Sequence, residues 1–241
     1  MWLNGSVPTR TVNQKQGRQV NGLLTRLLAQ LLERDCRLCH EHVPSGEALC
    51  PQCRNALPWL SAGCSRCADP RAPACECGHC QRYPPAFDRV VAGFEYRDEV
   101  ASLIRRFKHG GDLSAGRVLA DALAEQCPTD LPPTLVPVPL DRRRLRERGF
   151  NQAIEIARRL PGGIASGLVV RGGSHQPQSL LAAHQRRRNI RHAFRLATDQ
   201  VPTRLTIVDD VVTTGATVRE LARILARAGA REIMVCALAR A

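Results

Sequence analysis

Between Leu205 and Thr217 the chain reads LTIVDDVVTTGAT, and these residue types in this order suit a phosphorylated sugar. An apolar, strand-like run carries two adjacent acids, Asp209 and Asp210, at its carboxyl end. It then turns through Thr213, Thr214, Gly215, Ala216 and Thr217 into a helical pattern. Successive backbone N–H groups in such a loop, together with a helix N-terminus, favour an anion. Threonine hydroxyls add donors, and Gly215 lets the backbone approach closely. Two acids facing that anion would repel it. They are better employed accepting hydrogen bonds from a sugar diol or holding Mg2+ beside it.

A second constellation consists of four Cys-x-x-Cys pairs: Cys36/Cys39, Cys50/Cys53, Cys64/Cys67 and Cys77/Cys80. Each pair sets two thiolates on one side of a tight knuckle, and two knuckles complete a tetrahedral zinc site, so eight ligands make two sites. Sequential and interleaved pairings both satisfy the spacing, and Cys75 can substitute for Cys77. No open coordination position and no nearby acid-and-histidine pattern accompanies the pairs, which points to structural zinc. Cys127 and Cys236 read as small core residues.

The elements that must position these groups follow from periodicity. Residues 1–19 are polar and aperiodic, as in a disordered lead. Leucines recur at helical spacing over 20–34, predicting an amphipathic helix. Residues 35–84 hold nine of the eleven cysteines and few large apolar side chains, too few for an ordinary core, so metal is expected to supply the fold there. After Tyr83-Pro84-Pro85 the composition shifts, and a boundary is expected near residue 85. Strand-like runs at 90–96, 134–138, 205–209 and 232–238 alternate with helical patterns at 98–107, 113–126, 151–160 and 217–228. That alternation predicts an α/β domain over 85–241 with a mainly parallel sheet flanked by helices.

The 241 residues suffice for one medium domain plus a small module. No apolar stretch is long enough to span a bilayer and the N-terminus lacks a secretion-signal pattern, so a cytoplasmic location is expected. In that reducing compartment clustered cysteines hold metal rather than disulfides. The formal charge is +13, and of the 35 basic residues only Lys15 and Lys108 are lysines. Arginine suits forked recognition of phosphate. Two Zn(Cys)4 centres would lower the charge to roughly +9. Five arginines crowd Arg142 to Arg148 on what reads as a turn before a helix, and there Arg148 and Asn151 are candidate anion contacts.

The Leu205–Thr217 run resembles the 5-phosphoribosyl 1-diphosphate (PRPP) signature of type I phosphoribosyltransferases. The resemblance implies that Asp209 and Asp210 contact the ribose hydroxyls and that Thr213 to Thr217 hold the 5′-phosphate. Phe107-Lys-His-Gly-Gly-Asp112 resembles the pyrophosphate loop of the same fold, with Lys108, His109, Gly110 and Gly111 at the diphosphate. Arg146-Glu-Arg-Gly-Phe-Asn-Gln152 opens a helix. An arginine-rich stretch from Gln178 to Phe194 supplies Arg186, Arg187 and Arg188, which can close over the diphosphate from a loop. Together with the cysteine pairs, a double zinc ribbon, these segments resemble the ComF/GntX-like family over about residues 36–239.

The resemblance implies transfer of a phosphoribosyl group from Mg2+-bound PRPP, with Lys108, Asp209 and Asp210 as the catalytic set. The acid that serves as nucleobase base in hypoxanthine-type enzymes is replaced here by Thr213, which argues against that purine-salvage activity. The resemblance also implies an association with DNA uptake or utilisation and with a partner in the uptake machinery. A different class of function stays open: a non-catalytic, PRPP-responsive protein that binds single-stranded DNA through its arginines. An aromatic content of 4% is low for base stacking and counts against a dedicated strand-binding surface. A PRPP-sensing regulator acting through a protein partner is the third reading.

Overall fold

The computed structural model describes residues 34–43, 47–172 and 193–241. The lead and most of the helix predicted over 20–34 lie outside them, as do Arg186, Arg187 and Arg188. The chain divides into two compact units, Met1–Cys50 and Pro51–Ala241.

In the first unit, β1 (Arg34–Asp35) pairs antiparallel with β2 (His42–Val43), folding the Cys36–Cys39 knuckle back on itself. The Cys36 N–H donates to the Glu41 carbonyl at 2.8 Å and the His40 N–H to the Cys36 carbonyl at 2.9 Å.

The second unit opens with two short helices, α1 (Pro51–Asn55) and α2 (Gly78–Arg82), and then builds the sheet. Its strands are β3 (Arg89–Glu95), β4 (Thr134–Pro137), β5 (Gly163–Ile164), β8 (Arg204–Val212) and β9 (Glu232–Arg240). The spatial order is β3-β9-β8-β4-β5, and every neighbouring pair is parallel. Between them run α3 (Asp98–His109), α4 (Leu113–Glu125), α5 (Arg142–Arg148), α6 (Gln152–Ala157) and α7 (Ala216–Arg227). A separate antiparallel pair joins β6 (Val169–Arg171) to β7 (Phe194–Leu196). The expected α/β class is therefore observed. The two-residue β5 and the β6–β7 pair are additions that periodicity does not register, because two or three residues hold too little pattern.

Burial on both faces explains the strand composition. Leu205, Thr206, Ile207 and Val208 are buried consecutively, as are Ile233 to Arg240. Thr206 satisfies its hydroxyl by donating to the Pro132 carbonyl at 2.8 Å.

The helices follow equally local rules. In α3 the buried residues Val100, Leu103, Ile104 and Phe107 form one stripe. Asp98 and Glu99 stand in its first turn and Arg106, Lys108 and His109 in its last, the arrangement the helix dipole favours. The Asp112 side chain caps α4 by accepting from the Ala115 N–H at 3.1 Å.

One expectation is corrected. Arg142 to Arg148 do not form a turn: they are helix α5, capped by Asp141, whose carboxylate accepts from the Arg144 N–H at 2.8 Å. Gly149 ends it in the left-handed region at φ 77°. Ion pairs from Arg143 to Glu147 and from Arg144 to Asp141 offset part of the mutual repulsion.

Candidate functional site

Strand order alone marks where a ligand belongs. From β4 the chain proceeds to β5 on one side, and from its neighbour β8 it proceeds to β9 on the other. Connections diverging from adjacent carboxyl ends leave a crevice, the usual ligand position in an open α/β sheet. The register places Asp209 at that opening: β4 ends with Pro137 opposite Val208, while β8 continues through Asp209 and Asp210 to Val212.

The two acids are in different electrostatic states. Lys108, at the end of α3, pairs its ammonium with Asp210 Oδ1 at 2.9 Å. Burial, and then the Asp210 carboxylate, push the Asp209 carboxyl up to about 7. The Asp210 N–H, which donates to Asp209 Oδ1 at 2.9 Å, pulls the other way, as do Lys108 and Arg171. The strand thus carries one acid paired with a cation and one held near its titration point at neutral pH.

Lys108 is placed by apolar packing. Phe107, fully buried beside it, lies 5.4 Å from Phe150 between ring centroids, which joins the end of α3 to the segment between α5 and α6. Gly116 of α4 is required by the same ring: a Cβ there would sit 2.5 Å from Phe107. His109 closes α3, Gly110 caps it, and Gly111, at φ 64°, turns the chain into α4. The segment expected to hold a diphosphate is therefore a helix–Gly-Gly–helix corner, with Lys108 reaching the acid pair.

The loop after β8 turns at Gly215, in the left-handed region at φ 72°, which is also the N-cap of α7. Thr213 and Thr214 precede it, and Ala216 and Thr217 lie in the first turn of the helix. Thr213, Thr214 and Gly215 line an open cavity of about 390 Å³, together with Arg219, Arg240 and residues of the Cys64–Cys80 segment.

Arg148 closes α5 near Asp210. Burial and the neighbouring Arg144 lower its pKa from the ordinary arginine value, while Asp210, Asp141 and Glu147 act to raise it. Asn151 serves locally: its Oδ1 accepts from the Ala153 N–H at 2.9 Å and its Nδ2 donates to the Val138 carbonyl at 3.0 Å, which caps α6 and ties it to the end of β4. Gln152 beside it is 2% exposed, and among the described residues neither amide atom has a hydrogen-bond partner.

Sequence reasoning passed over three arginines. Arg171 is half-buried; that partial burial lowers its pKa, as does nearby Arg144, while Asp141 and Asp209 pull the other way. No local pattern distinguishes it. Arg219 and Arg240 join the loop to the second cysteine group. A lone arginine closing a nine-residue apolar strand was a legible signal at position 240.

The cysteines form two tetrads in sequential order: Cys36, Cys39, Cys50 and Cys53, then Cys64, Cys67, Cys77 and Cys80. Within each, the sulfurs lie within 4.8 Å of one another. Cys75 is exposed and stands outside both. The donor set fits zinc. Four thiolates at about 2.3 Å from an ion have tetrahedral edges of about 3.8 Å. The measured separations are 3.7 Å for Cys39–Cys50 and 3.8 Å for Cys67–Cys77. Those distances are far beyond a disulfide bond. Cys64 Sγ accepts from the backbone N–H of Cys77 at 3.2 Å and of Cys67 at 3.4 Å. Burial, the largest single influence, pushes the Cys64 thiol up, but these bonds together with the Arg66 N–H and the Cys77 side chain bring it down to about 6, toward the thiolate a metal requires. Cys36 is brought to about 6 in the same way.

Cys127 and Cys236 lie 4.0 Å apart between sulfurs, with Cys236 fully buried in β9 and Cys127 half-buried. Among the described residues no helix is long and apolar enough to cross a membrane.

No family model matches the chain. It is 33% identical over 218 residues to DNA utilization protein YhgH of Salmonella typhimurium, covering 85% of this chain and 96% of that one. To Competence protein F of Haemophilus influenzae it is 35% identical over 179 residues, 68% of this chain and 78% of the relative. To Competence protein ComFC of Streptococcus pneumoniae it is 26% identical over 228 residues, 90% and 91% of the two chains. With relatives above 30% identity aligned across most of its length and a cysteine module joined to a parallel α/β sheet, the chain belongs to the ComF-like family.

Proposed function

We propose that the protein binds PRPP with Mg2+ at the carboxyl end of β8 and transfers its phosphoribosyl group to an acceptor, in the service of DNA uptake or utilisation. One observation carries the reading: an acid pair engaged by Lys108 stands at the sheet's switch point, in the same strand–loop–helix segment as a glycine-capped threonine loop. Asp209 and Asp210 accept the ribose hydroxyls, and the N–H groups and hydroxyls of Thr213 to Thr217 receive the 5′-phosphate. Lys108, with Arg148 nearby, neutralises the diphosphate, beside which Mg2+ binds.

In the reaction the bond from C1 to the diphosphate oxygen breaks, its electron pair leaving with the diphosphate, while an acceptor lone pair forms the new bond to C1. The protein's part is to position the reactants and stabilise the departing charge. Two zinc ions, one in each tetrad, are structural in this reading. The names of the relatives supply the link to competence and DNA utilisation.

The test is calorimetric titration of PRPP, with and without Mg2+, into the wild type and the Asp209→Asn/Asp210→Asn double variant. Binding by the wild type, weakened at least 100-fold in a variant that remains folded, is expected. A folded, zinc-loaded wild type that binds no PRPP would sink the proposal. A non-catalytic, PRPP-responsive DNA-binding protein is the second reading, favoured by the five arginines on α5 against the single Glu147. Its mark is PRPP binding with no diphosphate release in the presence of nucleobases, amines or single-stranded DNA.

A further inference from the structure

The phosphate loop and the second cysteine tetrad are joined by two arginines whose donors go to backbone carbonyls, a sulfur and the Asp69 carboxylate. Arg240, 5% exposed, donates from Nε to the Cys67 carbonyl at 3.0 Å. Its Nη1 donates to the Val212 carbonyl at 3.0 Å, to the Thr213 carbonyl at 2.6 Å and to the Ala241 carbonyl. Its Nη2 lies 3.5 Å from Asp69 Oδ2, and the Asp69 carbonyl accepts from the Cys64 N–H at 3.0 Å. One buried guanidinium therefore binds the knuckle that carries two metal ligands and both peptides that begin the loop.

Arg219, in the first turns of α7, makes the parallel connection. Its Nη2 donates to Cys80 Sγ at 3.3 Å and its Nη1 to the Tyr83 carbonyl at 2.8 Å, with the guanidinium 5.8 Å from the ring centre of buried Phe87. Its own N–H donates to the Gly215 carbonyl at 2.9 Å.

The geometry has a direct effect on the loop. A trans peptide is planar, with its C=O and N–H pointing in opposite directions. Fixing the Val212 and Thr213 carbonyls on Arg240 fixes the Thr213 and Thr214 N–H groups on the opposite side. These are two of the donors that an anion in the loop would use. The orientation of Arg240 depends in turn on where the Cys64–Cys67 knuckle presents the Cys67 carbonyl, and metal organises such a knuckle.

We propose that Arg240 and Arg219 are positioning residues that transmit the state of the Cys64–Cys67–Cys77–Cys80 centre to the loop, so that this metal centre sets the loop's affinity for its phosphate ligand. The affinity part rests on the PRPP reading; the effect on the loop does not. Loss of metal from this tetrad frees the Cys67 carbonyl and Cys80 sulfur, slackens both arginines and disorders the Thr213 and Thr214 amides. The tetrad is then more than a fold-stabilising staple: it is a device by which metal supply controls a site built on another segment.

The experiment uses the full chain and reads three quantities: zinc per chain, amide hydrogen exchange over residues 209–217, and PRPP affinity. Arg240→Gln is expected to keep two zinc ions, to speed loop exchange at least tenfold while β4 and α4 exchange as in the wild type, and to weaken PRPP at least tenfold. Arg240→Lys, which retains charge without the fork, should fall between. Cys80→Ser should lose one zinc and show the same loop signature. Arg240→Gln with two zinc ions and unchanged loop exchange overturns the proposal, as does Cys80→Ser with one zinc and an unchanged loop. Should Arg240→Gln fail to fold, Arg240→Lys and Arg219→Gln make the same comparison. A wild type that does not bind PRPP defeats the functional reading alone, because loop exchange needs no ligand.

Discussion

In the proposed site the corner carrying Lys108 and the loop carrying Thr213 and Thr214 are held by opposite means. The corner is held by apolar packing: Phe107 is fully buried, too close to Gly116 to admit a Cβ there, and tilted against Phe150. The loop is held by charge: Arg240 on its carbonyls, Arg219 in its helix, and a cysteine tetrad beyond both. Apolar packing is local, insensitive to salt and metal, and fails only when volume changes. A polar clasp is conditional on every partner. The two halves of the site should therefore fail under different insults.

The largest separation is expected from Phe107→Ala. Removing a fully buried ring from a packed corner costs about 3–5 kcal/mol. Chemical denaturation should show that loss with zinc content equal to that of the wild type. Zinc loss accompanying the substitution would mean that the corner and the cysteine centres are not independent.

A smaller effect on the other half is expected from Gly215→Ala. Among the described residues no atom lies closer than 3.9 Å to a Cβ built there, so the cost is conformational rather than steric. A non-glycine residue in the left-handed region costs about 1–2 kcal/mol. Stability by denaturation should fall by that amount, with the change in amide exchange confined to the loop and the first turn of α7. An unaltered midpoint would mean that the loop can abandon φ 72° without loss.

What was legible in the sequence follows the same division between local and distant causes. The apolar run of β8, its acids and the threonine loop are contiguous, so their order already describes a strand, a turn and a helix N-terminus. The cysteine pairs are legible because two ligands three residues apart form one knuckle. Sequential and interleaved tetrads place those same knuckles differently only in three dimensions, so spacing left the choice open. Helix α5 was read as an arginine-dense turn suited to an anion, yet Asp141 before it and Gly149 after it are an N-cap and a C-cap signal in the expected places. Arg171 and Arg219 carry no such signal. Their partners lie on other elements, Arg219 reaching Tyr83 across 136 positions of chain.

The finest distinction concerns the acid between the two halves. The Asp209 carboxyl is raised to about 7, first by burial and then by Asp210, above the ordinary carboxylate value near 3.8. Over the interval from about 4 to about 7 the folded protein therefore holds a proton that the unfolded chain has released, and stability contributed by this group declines as pH rises through 7. Under the proposed function ligand binding runs the other way, because a carboxylate that must accept hydrogen bonds from a diol is competent only when ionised. With a pKa of about 7 the ionised fraction rises about tenfold from pH 6 to pH 8, and the apparent PRPP affinity should rise by about the same factor. Asp209→Asn should flatten both profiles, and the difference between variant and wild type isolates this group from the cysteines, which would release a bound metal toward acid pH. Affinity that stays level from pH 6 to 8 while stability declines would show that Asp209 titrates as expected but does not touch the ligand, leaving Asp210 and Lys108 to hold the sugar and transferring the burden of recognition to the loop.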